Sequence, residues 1–167
     1  GDVGTASLLG ILDMERVAWN TDVLDALGLN ANQLAKPLLP GTAAGPVSNA
    51  DLAGQLGLMP GIPLALGSLD HYTAAVGAGL GTAAEATISL GTVIACVNQT
   101  PRFAPQKDIC IARAPEGHGY HQLAYDLNGA VVLEWYNRTF CPHMSIEQLI
   151  EEAANIPQDC DGLVALP

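Results

Sequence analysis

Basic residues are scarce in this chain of 167 residues: Arg16, Lys36, Arg102, Lys107, Arg113 and Arg138 stand against 17 acidic residues, for a formal net charge of −11. Proteins that neutralise nucleic-acid phosphates need clustered Lys and Arg. These six are scattered, which argues against nucleic acid and anionic membrane surfaces as partners. A single nucleotide stays admissible, because backbone N–H groups and a metal ion can hold phosphates without many cations. Cysteine is also sparse. Cys96, Cys110, Cys141 and Cys160 form no Cys-x-x-Cys pair, so reduced thiols in a cytoplasmic protein are expected. Cys141 and His143 lack the second ligand pair that a zinc site needs.

No apolar run approaches the length that crosses a bilayer. The opening residues, Gly1 to Gly4, carry neither a basic start nor the apolar core of a signal peptide. The missing initiator Met and the abrupt Leu166-Pro167 end lead us to expect part of a longer polypeptide. What the chain does have is a hydrophobic content of 49% with only 14% charged residues, enough to bury a core in an α/β protein.

Residues 7–12 are uninterruptedly apolar and predict a short strand. Asn20 or Thr21 can cap a helix reaching Leu27, with Gly28 as its left-handed terminator. Ser48 with Asp51 three residues on predicts a second capped helix to Leu56, closed by Gly57. Residues 63–66 read as a short buried strand, followed by a small-residue helix over 71–79. Two β-rich runs, 86–90 and 93–97, flank Gly91-Thr92 and predict a hairpin with a type II′ turn. Weaker strands are expected at 109–113 and 120–125, helices at 129–140 and 145–154, and a last strand at 163–166. The Pro/Gly-rich stretch near Met59 is the natural place for a domain boundary.

Three places could carry chemistry. Asp70 stands where a strand gives way to a helix, the end that faces the ligand crevice in open α/β sheets. Unpaired N–H groups and the helix dipole favour its anion there, but on local sequence alone an Asp at such a position is more often an ordinary cap. Gly91 lets a backbone approach a phosphate without a Cβ in the way, and Thr92 adds a hydroxyl donor; the same pair can be a plain turn. Asn128-Gly129-Ala130 precedes a helix and could receive a nucleotide, or Asn128 could simply cap. No Walker A loop occurs anywhere. Gly67-Ser68-Leu69-Asp70-His71 contains Ser, Asp and His. Neighbours along one turn do not converge into a triad, and the nucleophile elbow needs Gly where Asp70 stands.

In order along the chain, these pieces resemble the FGGY carbohydrate kinases, the group of xylulokinase, glycerol kinase and gluconokinase. Asp2-Val3-Gly4-Thr5-Ala6-Ser7 is similar to the family's Thr-Asp-x-x-Asn-Ala-Ser segment. Trp19, Leu27-Gly28 and Gly45-Pro46-Val47 continue the match. Gly67-Ser68-Leu69-Asp70-His71, with Ala74-Ala75-Val76-Gly77-Ala78-Gly79, looks like the Gly-x-x-Asp-Gln/Asn segment and its following helix. Ser89-Leu90-Gly91-Thr92 is similar to the Ser-Leu-Gly-Thr-Ser phosphate hairpin. Leu133-Glu134-Trp135 and Asp161-Gly162-Leu163 complete a collinear resemblance.

The resemblance implies a partial actin/Hsp70/hexokinase-like (ribonuclease H-like) ATPase fold, spanning the end of a first domain and the start of a second. Residues 1–62 would close the sugar-binding domain and 63–167 would open the ATP-binding domain. It implies ATP and Mg²⁺ as cofactors and a sugar or polyol as substrate. Asp70 matches the catalytic base and a metal-proximal carboxylate, and Asp70 with His71 the sugar contacts. Gly91, Thr92, Asn128, Gly129 and Ala130 match the ATP contacts. His71 replaces the usual Gln or Asn, which puts the sugar in question, and Val93 replaces a Ser, which removes a hydroxyl donor. The N-terminal phosphate loop and the C-terminal adenosine site have no counterpart here, so the piece alone is expected to be inactive. A non-catalytic scaffold of the same fold is the alternative, as is an unrelated small binding module; a homodimer is the open oligomeric question.

Overall fold

The computed structural model describes residues 1–164. It divides into two compact units, one of residues 1–87 with 97–124 and the other of residues 88–96 with 125–167.

The first unit begins with a five-residue helix, α1 (Val3–Ser7), capped by the Asp2 carboxylate, which accepts from Thr5 N at 2.8 Å. This corrects the strand expected over 7–12. A short apolar run does not distinguish strand from buried helix, and here Val3, Gly4 and Ala6 are buried on a helix face. Only Leu12–Asp13 (β1) is extended, paired antiparallel with Ala18–Trp19 (β2). Asn20 caps α2 (Thr21–Ala26), and Gly28 follows with φ of 67° as expected. The cap of α3 (Ala50–Gln55) is Asn49, accepting from Leu52 N at 2.9 Å, rather than Ser48.

Strand β3 (Ala43–Pro46) pairs antiparallel with β4 (Pro63–Ala65). All three residues of β4 are exposed, so the expected buried strand is instead a surface ribbon. Helix α4 (Asp70–Gly77) follows and buries Tyr72 and Ala75.

Four strands form the main sheet in the order β5–β6–β8–β7, where β5 is Ala86–Leu90, β6 Ile94–Thr100, β7 Cys110–Arg113 and β8 Tyr120–Asp126. Strands β7 and β8 are antiparallel, with Ala112 opposite His121. In the first unit Val97, Ala112, Ala114, Tyr120, His121 and Leu123 are buried, and α1 packs on β7.

The connection from β5 to β6 differs from the expected two-residue II′ turn. Gly91 does not have a positive φ, which that turn requires. Its N–H donates instead to Val93 O at 3.0 Å, within a three-residue bend over 91–93.

In the second unit α5 (Ala130–Phe140) and α6 (Ile146–Ala153) pack together. The turn between them is held by Asn137 Nδ2, which donates to Cys141 O at 3.1 Å and Met144 O at 3.0 Å. Cys141 O also accepts from Met144 N at 3.0 Å. Ser145 and Gln148 form a reciprocal capping box at the start of α6. Gly129, not Asn128, is the residue before α5, and no side chain caps that helix. The strand expected at 163–166 is not formed at Leu163 and Val164, and its remainder lies outside the described residues.

Candidate functional site

Asp70 is the first residue of α4 and is exposed. The residue before it, Leu69, has no capping side chain. Among the described residues the Asp70 carboxylate reaches only the next amide, with Oδ1 accepting from His71 N at 2.8 Å. An ordinary cap bonds the amide two or three residues on, so the cap reading does not account for Asp70. Among the described residues Oδ2 has no hydrogen-bond partner, and the residue is exposed.

The strand before Asp70 is a two-stranded surface ribbon, so the argument from an open-sheet crevice does not apply to it. What places Asp70 is α1. Gly4 lies so close to the turn before Asp70 that a Cβ there would collide with Ser68 Oγ and stand 3.0 Å from Leu69 N. Sequence reasoning missed this contact, because nothing in the spacing of Gly4 and Ser68 announces that they meet.

Behind Asp70, Tyr72 and His121 are both fully buried, with ring centroids 5.7 Å apart. Burial, reinforced by the neighbouring Cys110 thiol, pushes the Tyr72 hydroxyl up. Ser7 nearby opposes this weakly; its own hydroxyl donates to Gly4 O at 2.6 Å, and among the described residues the Tyr72 hydroxyl makes no hydrogen bond of good geometry. Burial likewise lowers the pKa of His121, against an opposing pull from Glu116, whose Oε2 lies 3.5 Å from Nε2. A run of alternating strand residues gave no reason to single out His121.

In the second unit, two predicted nucleotide-contacting segments come together. Ala130 N donates to Gly91 O at 2.7 Å. A Cβ on Gly129 would collide with Gly91 O, lie 2.6 Å from Thr92 O and 2.8 Å from Val93 C. Gly91, Thr92, Gly129 and Ala130 therefore form one backbone surface, on which Gly91, Thr92 and Ala130 are exposed. Asn128 is exposed beside it, its N–H donating to Asp126 Oδ1 at 2.8 Å. Arg138 is the unit's one basic side chain among Lys and Arg. A phosphate placed here would be met by backbone dipoles and the Thr92 hydroxyl.

Among the described residues no group of three or more His, Cys, Asp or Glu is arranged to hold a metal, and the four cysteines are free thiols. No described helix is long and apolar enough to cross a membrane. Asp70 and the Gly91–Gly129 surface belong to different units.

Known proteins share this arrangement of elements. Residues 1–77 match the model of the FGGY family of carbohydrate kinases, N-terminal domain. The xylulose kinase of Bacillus subtilis is 24% identical over 159 residues, 94% of this chain and 32% of that protein. The autoinducer-2 kinase of an Enterobacter species is 27% identical, over 99% of this chain and 33% of that protein. The crystal structure of ligand-bound xylulose kinase from Lactobacillus acidophilus superimposes with a TM-score of 0.86 at 20% identity, covering 98% of this chain and 33% of that one. The fold is thus the ribonuclease H-like, actin-like α/β fold, present in part. Residues 1–77 thus resemble the N-terminal domain of the FGGY carbohydrate kinases, and the chain spans about a third of the length of the relatives it matches.

Proposed function

We propose that this chain is an internal part of an ATP-dependent kinase that phosphorylates a hydroxyl of a sugar or polyol, with Asp70 as the general base. The observation that carries the reading is the exposed Asp70 carboxylate at the start of α4, with one oxygen unpartnered among the described residues, in a segment matching the family model. Asp70 takes the proton of the attacking hydroxyl, and that oxygen displaces ADP from the γ-phosphorus. His71, next in the chain, contacts the sugar. Phosphoryl transfer depends chiefly on positioning and electrostatic stabilisation.

Gly91, Thr92, Gly129 and Ala130, with Asn128 beside them, hold the nucleotide. The absence of a Cβ at Gly129 is what lets these backbones meet. Mg²⁺, when bound, would offset phosphate charge through phosphate oxygens and water, with the Asp70 carboxylate near it. We assign residues 1–62 to the sugar-binding domain and 63–167 to the ATP-binding domain, in a cytoplasmic enzyme; the match to the N-terminal-domain model extends to residue 77.

Asp70→Asn in the full-length polypeptide tests the base. Its kcat should fall by about 10²- to 10⁴-fold, the range for a lost general base, with folding intact. Unchanged kcat would favour a scaffold role. Screening the same polypeptide against xylulose, gluconate, glycerol and erythritol identifies the acceptor.

A further inference from the structure

Asp70 and Tyr72 stand two positions apart on α4. Residues so spaced on a helix point to nearly opposite sides. Asp70 is exposed, whereas Tyr72 is fully buried and is the one large side chain that α4 buries. Tyr72 is held from several directions. Its ring is tilted by 57° against that of His121 on β8. Its hydroxyl lies near Cys110 on β7 and Ser7 on α1. The preceding turn is fixed in addition by the close approach of Gly4 to Ser68 and Leu69.

We propose that Tyr72 is the positioning residue for Asp70: its ring, locked against His121, sets the rotation of the first turn of α4 and so the direction of the exposed carboxylate. This rests on the reading of Asp70 as the base. Among the described residues the buried hydroxyl makes no hydrogen bond of good geometry. The ring therefore does the positioning, and Phe should replace Tyr without loss.

In the full-length polypeptide, Tyr72→Leu should lower kcat by about 100-fold, the loss that a shift of about 1 Å at a reacting group produces. The KM for ATP should stay unchanged, and Tyr72→Phe should restore wild-type kcat. Wild-type kcat in Tyr72→Leu, or an equal fall in both variants, overturns the proposal. Should Tyr72→Leu fail to fold, His121→Leu removes the ring's partner from the other side, and the same loss of kcat at unchanged KM is expected; a His121→Leu enzyme with wild-type kcat overturns it equally. Amide exchange at His71 and Thr73 separates this from the chemistry of Asp70. If Asp70→Asn keeps full activity, the base reading fails. Faster exchange in Tyr72→Leu with wild-type exchange in Tyr72→Phe then still supports the positioning role, and equal exchange in all three proteins overturns it.

Discussion

His121 is a proton-sensitive residue in the first unit. Its side chain is completely buried, and desolvation lowers its pKa below the ordinary 6.5, while Glu116 at 3.5 Å pulls the other way with smaller effect. The unfolded chain binds a proton on this imidazole at a pH where the folded chain does not, so acid favours unfolding. The associated stability is whole above about 6.5 and is lost as the pH falls through the lowered value. Urea unfolding followed from neutral pH into that window should show the midpoint declining, and His121→Asn should flatten that part of the profile. An unaltered profile in the variant would show that His121 carries none of it. Asp70 was legible from the residues around it, because a carboxylate between a strand run and a small-residue helix stands out. His121 was not, since its burial depends on packing against residues such as Tyr72, 49 positions away in the chain.

Among the elements, the legible ones carry their own start and stop signals. Helix α6 has Ser145 and Gln148 in reciprocal bonds, and α2 has Asn20 before it and Gly28 after it. Helix α1 has five residues, too few to show a period and too few to be stable alone. It forms because Val3 and Ala6 are buried and Gly4 fits against Ser68, none of which local sequence reveals. The bend at 91–93 is a similar case. Its conformation is selected by the bond from Ala130 N to Gly91 O rather than by the preference of a two-residue hairpin. Gly129→Ala should therefore disrupt the bend, because the new Cβ meets backbone atoms that cannot rotate away. A loss of about 1–3 kcal/mol or more is expected, as for overpacking elsewhere, measurable by denaturant unfolding. An unchanged midpoint would mean that the two backbones are not in contact.

For the whole molecule, the exposed apolar side chains bear on activity. Leu64 of the first unit and Ile88, Leu90, Trp135 and Phe140 of the second are all more than half exposed. The chain spans about a third of its relatives' length. The other two thirds of those relatives' length has no counterpart in it, and the 167-residue chain alone should transfer no phosphate from ATP to xylulose or gluconate in a coupled ADP assay. Steady turnover abolished by Asp70→Asn would overturn that expectation. The sequence by itself determined the class of fold, a family resemblance, most helix and strand positions and the choice of Asp70 as a candidate, because these rest on local periodicity, caps and short collinear motifs. Only the tertiary structure decided that Gly91-Thr92 meets Gly129-Ala130, that α1 seats against the turn before Asp70, and that Tyr72 is buried against His121. Those are contacts between residues far apart in the chain. They depend on which backbones can approach without a Cβ and which side chains lose their water, and neither is written in the neighbouring residues.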